Sequence, residues 1–289
     1  MNMSSCWQVT FSSVEIPSPE FENFLDDYFE VNACNFDDDG NDEYIGYIGN
    51  AFSEEDMQQA AKTAGILLPK YKIERLESSN WLKDYVIRFP PFEVEDFLIY
   101  GVHETSAPQT KKIPMKIYAA TAFGSDHQTT RSCLKAICEL YHQNFKAYKI
   151  LDIGTGSGIL SLAAAKLWQT ECQITAVDID QESVWVTRQN AEDNLVGHLI
   201  ATDVSDGCQA DIVKQNAPYD LILANILARP LLSMATDIQR NLKSGGYCIL
   251  SGFVEDQSDW IISEYQKQGM QLIKLYEQDN WRAALMQKV

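Results

Sequence analysis

LDIGTGSGIL, residues 151–160, decides the fold. The apolar stretch Ile150–Ile153 meets glycines at 154, 156 and 158 and runs straight into GILSLAAAKLW, a segment with helix-forming composition. Glycine permits the tight strand-to-helix turn and lets backbone approach a ligand closely. The next strand, in QITAVDI, ends on Asp178, 24 positions after Gly154. A carboxylate there offers two acceptor oxygens to the two hydroxyls of a ribose, which an amide cannot do. The pattern therefore predicts a nucleoside-bearing cofactor at a strand–glycine loop–helix junction.

Glycine spacing separates the two cofactor classes that use this layout. The dinucleotide fingerprint is G-x-G-x-x-G/A, with a pyrophosphate on the helix N-terminus. Here Ile159 stands three positions after Gly156 and the third glycine comes early. D-x-G-x-G-x-G followed by an acidic strand end resembles the S-adenosylmethionine site of class I methyltransferases.

Outward from this loop the chain alternates strands and helices. YKILDIG, QITAVDI, HLIATDV, YDLILANI and YCILSGF read as strands, with GILSLAAAKLW, ESVWVTRQNAEDN and PLLSMATDIQRNLK as helices among them and DWIISEYQKQG as a helix after the last. Such alternation predicts an α/β unit over residues 93–289, a Rossmann-like, mostly parallel sheet covered on both faces. The tail, MQLIKLYEQDNWRAALMQKV, supplies two further strands as an antiparallel edge. Before the loop, EVEDFLIYGV reads as one strand, then a Gly/Thr-rich loop, then a helix RSCLKAICELYHQN that Thr130 can cap.

The first 75 residues read as a separate small α+β unit. CWQVTFSSV, YIGYIGNAF and YKIERLE are strand-like; PSPEFENFLDDYFEV and SEEDMQQAAKTAGILL have helical spacing, the second capped by Ser53. The order suggests a ferredoxin-like sandwich. Residues 76–92, containing SSNWLKDYVIRFPPF, form a connector with a short helix stopped at Pro90-Pro91.

Charge divides the chain in the same place. Residues 1–100 carry 20 acidic and 6 basic side chains, which accounts for −14 of the net −18. An acidic front third repels nucleic-acid phosphates and attracts basic surfaces. No apolar run reaches the ~18 residues of a membrane span, and no secretory signal is apparent. The seven cysteines are scattered without CxxC pairs or Cys/His metal spacing, which predicts reduced thiols, no metal site and a cytoplasmic protein.

Further motifs accompany the glycine loop: AFGSDHQTT (122–130), AVDIDQESVWVTRQNAEDN (176–194), ANILARPL (224–231) and LKSGGYCILSGF (242–253). Together they resemble the PrmA-type ribosomal-protein lysine methyltransferases, over nearly the whole chain. The resemblance implies S-adenosylmethionine as cofactor and, as substrate, the basic stalk-base protein of the large ribosomal subunit, protein eleven. It implies a small substrate-recognition domain, so the acidic front third is expected to dock that basic partner. The family's F-G-T-G-x-H-x-T-T loop is one residue shorter here, with Ser125-Asp126 in place of its second glycine.

By the same resemblance Thr130, Gly154, Asp178 and Asn225 contact the cofactor, with Gly156 in the same loop. Each also has a case of its own. Asp180 is the alternative ribose carboxylate, and Asp203, at the third strand end, can accept from the adenine amino group. Asn225 ends the fourth strand, at the carboxyl edge where open α/β sheets bind ligands. Its carbonyl can orient a substrate amine. Methyltransferases of planar nitrogens commonly follow this asparagine with N-P-P-aromatic, whereas here Ile226-Leu227-Ala228 follow. A tetrahedral amine, lysine or N-terminal, fits that aliphatic lining. His127 is the candidate proton acceptor, although desolvation alone lowers an amine pKa. The alternatives are a related enzyme acting on another protein or small amine, and a cofactor-binding but catalytically silent homologue.

Overall fold

The computed structural model describes residues 6–12, 21, 24–25, 28–29, 31–36, 42–48, 52–76, 90–104, 109–118 and 128–289. They fall into two compact units, Met1–Tyr85 and Val86–Val289.

The first unit contains β1 (Cys6–Ser12), β2 (Val31–Phe36), β3 (Asp42–Ile48), α1 (Glu54–Thr63) and β4 (Lys70–Leu76). All pairings are antiparallel, in the order β2-β3-β1-β4. This is the ferredoxin-like arrangement, with one strand more than the sequence suggested. Val31, at the end of the stretch with helical spacing, belongs to β2, and β3 starts earlier than YIGYIGNAF, at Asp42. Helical Phe21, Phe24 and Leu25 are buried with Phe11, whose ring meets those of Phe21, Phe29 and Tyr71 at 5.5–5.9 Å. Ser53 caps α1 by accepting from the Asp56 amide.

The second unit begins with a three-stranded sheet: β5 (Phe92–Val94), β6 (Phe97–Gly101) and β7 (Ile113–Ile117). EVEDFLIYGV is therefore two strands; Glu95, at φ 47°, reverses the chain between them. Then come α2 (Gln128–His142), β8 (Lys149–Ile153), α3 (Ile159–Trp168), β9 (Gln173–Asp178), α4 (Gln181–Asp193) and β10 (Ile200–Val204). The chain continues through α5 (Asp211–Asn216), β11 (Tyr219–Asn225), α6 (Ala228–Ser233), α7 (Ala235–Asn241), β12 (Leu242–Val254), α8 (Ser258–Lys267), β13 (Met270–Gln278) and β14 (Trp281–Lys288).

These strands form one seven-stranded sheet in the order β10-β9-β8-β11-β12-β14-β13. The five strands from β10 to β12 are parallel, and the terminal hairpin closes the edge with β14 antiparallel to both neighbours. Alternation along the strands sends side chains into two cores. Ile150, Ile174 and Leu223 pack with α2 and α3 residues such as Leu134 and Leu162. Leu151, Val177 and Ile222 face Leu231, Ile238 and Tyr265 of α6, α7 and α8. Burial on both faces is why the central strands read as continuous apolar runs. The sheet order reverses between β8 and β11, and the crevice at their carboxyl ends is where such folds hold ligands.

Candidate active site at the carboxyl edge of the sheet

The glycine loop leaves β8 and turns beneath the end of β9. The amides of Gly154 and Thr155 both donate to Val177 O, at 2.9 and 3.0 Å, and Gly158 N closes the turn onto Thr155 O at 2.7 Å. Gly154, Gly156 and Gly158 all have positive φ, between 54° and 77°. A Cβ on Gly154 would run into the Ile226 side chain, so the loop is pressed against the end of β11.

Asp178 sits at the end of β9, half-buried, with one oxygen accepting from Gly156 N at 2.9 Å and the other from Asp180 N at 3.1 Å. A carboxylate has about four lone-pair sites, so capacity remains for two ribose hydroxyls. Asp180 is differently employed. Its side chain caps α4, accepting from Glu182 N, Ser183 N and Ser183 Oγ. Asp203 is exposed one strand further out and accepts from the adjacent Val204 amide.

On the other side of the crevice Asn225 ends β11, and its Nδ2 donates to Thr130 Oγ1 at 3.2 Å. With the amide nitrogen engaged, the carbonyl oxygen is the group left to receive a donor. Thr130 does not cap α2: the helix starts at Gln128, and Thr130 lies buried within its first turn. Thr130, Asn225, Gly154, Gly156 and Asp178 thus follow one path: a hydrogen bond from Asn225 to Thr130, the approach of Ile226 to Gly154, the chain through Thr155 to Gly156, and a hydrogen bond from Gly156 N to Asp178. His127 and the Ser125-Asp126 segment lie outside the described residues, as do connector positions 77–89.

One residue of the glycine motif has a role that the sequence reading did not give it. Asp152, on β8, is buried and accepts from Ser161 Oγ at 2.6 Å and Thr155 Oγ1 at 2.9 Å, tying the loop to α3. The visible signal was a lone acid in an apolar strand followed by hydroxyls three and nine residues later. Burial pushes the Asp152 carboxyl up to about 6; the two hydroxyls pull it down and nearby Asp178 pushes it further up. A folded-state pKa raised above 3.8 means that the native protein holds the proton more tightly. Its contribution is full below about pH 4 and is lost as pH rises through about 6. Asp152→Asn is expected to remove up to about 3 kcal/mol of this pH dependence. Urea unfolding of wild type and variant at pH 4 and pH 7 measures it; parallel pH profiles would contradict the assignment.

The remaining polar features lie elsewhere. A cavity of about 310 Å³ lined by Lys149, Thr175, His198 and Tyr219 is at the amino edge of the sheet, opposite the glycine loop. Cys133, Cys138, Cys172, Cys208 and Cys248 are free and buried, with burial pushing the Cys133 and Cys208 thiols up to about 12. Among the described residues no group of three or more His, Cys, Asp or Glu could hold a metal, and no helix is long and apolar enough to cross a membrane.

These residues fit S-adenosylmethionine. The glycine cradle has no room for a Cβ at Gly154, and Asp178 has the acceptors that a ribose requires. Comparison with known proteins agrees. A ribosomal protein L11 methyltransferase from a Caulobacter species is 35% identical over 237 residues, 81% of this chain and 80% of the relative. One from Brucella suis is 32% identical over 263 residues, 90% of each chain. The crystal structure of a ribosomal protein L11 methylase from Lactobacillus delbrueckii subsp. bulgaricus superposes with a TM-score of 0.61 at 26% identity, covering 69% of this chain and 98% of that one. With the model of that family matching residues 12–289, the chain belongs to the ribosomal protein L11 methyltransferase (PrmA) family.

Proposed function

We propose that this chain transfers methyl groups from S-adenosylmethionine to amine nitrogens of ribosomal protein L11, at lysine ε-amino groups, the N-terminal α-amino group, or both. The observation that carries the reading is the line from Thr130 through Asn225 and Gly154 to Asp178, with a carboxylate at one end and a carboxamide at the other, which supports a ribose acceptor in Asp178 and an amine acceptor in Asn225. When bound, the cofactor supplies a sulfonium-activated methyl group.

The chain's own residues bind and orient. Asp178 takes the ribose hydroxyls while Gly154 and Gly156 bring backbone against the ligand. Asp203 is the candidate for the adenine amino group. Asn225 receives a hydrogen bond from the attacking amine and points its lone pair at the reacting carbon, a positioning effect rather than proton chemistry. Thr130 holds the Asn225 carboxamide in that orientation. Leu227 is exposed beside Asn225 and is aliphatic, which suits the stem of a lysine better than a planar amide that needs an aromatic partner. An amine entering this crevice loses solvation and with it part of its basicity, so the nitrogen can shed its proton before attack. His127 is the candidate to accept it.

Substrate docking falls to the acidic front third. Ribosomal proteins are generally basic, and −14 over 100 residues steers such a partner from a distance. Raising salt from ~50 to ~300 mM shrinks the Debye length below ~10 Å and is expected to raise KM for L11 several-fold while leaving cofactor affinity within twofold. Steady-state kinetics and calorimetry at both salts check this; an unchanged KM would confine the charge to solubility.

The deciding experiment incubates the protein with purified L11 and methyl-labelled cofactor and locates the label by mass spectrometry. Label on amine nitrogens is the expected result. Cofactor binding without transfer to L11 or to ribosomal extract would identify a silent homologue instead.

A further inference from the structure

The motif segment 176–194 ends in two asparagines, Asn190 and Asn194, which have no part in the site described above. Both lie on the inward face of α4 and its C-terminal cap, with Asn190 fully buried and Asn194 nearly so. Each treats the edge strand β7 as a neighbouring strand would. Asn190 Oδ1 accepts from Tyr118 N at 2.7 Å and its Nδ2 donates to Tyr118 O at 3.0 Å. Asn194 Oδ1 accepts from Lys116 N at 3.1 Å and its Nδ2 donates to Lys116 O at 2.6 Å. The spacings match: side chains four apart on a helix are about 6 Å apart, and alternate residues on a strand about 6.6 Å. Among the described residues, two carboxamides thus pair with the outer edge of the three-stranded sheet, at Lys116 of β7 and at Tyr118 just after it.

The third bonds differ: Asn194 Nδ2 donates back along the helix to Asn190 O at 2.8 Å, whereas Asn190 reaches the glycine loop. Its Nδ2 also donates to Ser157 O of the glycine loop, at 2.8 Å. One turn earlier Thr187 Oγ1 donates to Gly156 O at 3.0 Å, and Thr187 is what a Cβ on Gly158 would strike. The loop's carbonyls are thereby held from behind while its amides face Asp178 and Val177.

We infer that Asn190 is a positioning residue for the cofactor. Its single carboxamide clamps the glycine loop to Tyr118, the residue that follows β7, with Thr187 as auxiliary, and so fixes the loop backbone in the conformation that receives the ligand. Asn194 anchors the same strand without touching the loop and serves as the internal control. The inference rests on the cofactor assignment made under the proposed function, and the test separates the two.

S-adenosylhomocysteine affinity is measured by calorimetry at 15 °C on the full chain, with Tm recorded for each protein. Asn190→Ala is expected to weaken binding at least tenfold. Asn190→Asp, which keeps the acceptor for Tyr118 N but loses both donations, should do the same. Asn194→Ala should stay within twofold of wild type while losing a comparable amount of Tm. Equal Kd changes in Asn190→Ala and Asn194→Ala, or an unchanged Kd in Asn190→Ala, would overturn the inference. Should Asn190→Ala fail to fold, Thr187→Val decides: it removes the hydroxyl that meets the loop at Gly156 O and Thr155 Oγ1, and an unchanged Kd counts against the clamp. Wild-type protein that binds no S-adenosylhomocysteine would overturn the cofactor assignment itself.

Discussion

Asp178→Ala is expected to weaken S-adenosylhomocysteine binding about a hundredfold with little change in Tm. Each hydrogen bond from a ribose hydroxyl to a carboxylate is charge-assisted and contributes about 1.5–3 kcal/mol. Losing two costs about 3 kcal/mol or more, and each 1.4 kcal/mol is a factor of ten. The substitution also releases Gly156 N from its 2.9 Å bond, so the loop loses an anchor as the ligand loses its partner. Asp178→Asn separates these effects. An amide keeps one acceptor but turns a donor toward either Gly156 N or Asp180 N and toward one ribose hydroxyl, so its affinity should fall nearly as far. Calorimetry on the three proteins decides the matter, and a change of threefold or less in the alanine variant would remove Asp178 from the ribose site.

Gly154→Ala is expected to lower methyl transfer at least a hundredfold, and Gly154→Val to abolish it. Two costs act at once. At φ 67° an L-residue is strained by about 1–2 kcal/mol, more for a β-branched side chain. The new Cβ also collides with the side chain of Ile226, whose backbone is held by the hydrogen bond from Ile226 N to Ser251 O at 3.0 Å. The loop can relieve the clash only by moving into the volume reserved for ligand. Combining Gly154→Ala with Ile226→Ala should recover part of the activity, since it removes the collision and leaves the strain. Single-turnover rates for the four corners of this cycle give the coupling directly. A fully active Gly154→Ala, or a double variant no better than the single, would show that the contact does not shape the site.

Much of the catalytic unit was legible in the sequence because its signals are local. The apolar strands of the central sheet, the glycine turn and the acid closing β9 each announce themselves within ten residues. What was illegible depends on distant partners. β7 contains Pro114, which argues against a strand except at an edge, and an edge is where it lies. The turn at Glu95-Asp96 has no glycine to betray its left-handed residue. β2, VNACNF, is short and runs directly into acidic residues, so its pairing with β3 leaves no periodic trace. In the site, Asp178 and Asn225 were visible as strand-end polar residues, and Asp180 looked equivalent to Asp178 until the cap of α4 separated them. Asn190 reads as an ordinary polar helix residue. Its partners at Tyr118 and Ser157 are 72 and 33 positions away, beyond any periodicity.

The carboxamide edge on β7 has a consequence for solubility. An unpaired strand edge is a template on which the strand of another molecule can add, and proteins protect such edges by covering or charging them. Among the described residues the cover is one side chain of α4 and one of its C-terminal cap rather than a strand, and it opens when that helix lifts. Heating or mutation that loosens α4 would bare the backbone of Lys116 and Tyr118 while the seven-stranded sheet is still paired throughout. The first species to accumulate would then be native-like and adhesive. Loss of soluble protein would depend on concentration and precede global unfolding, with α4 rather than the central sheet setting the threshold.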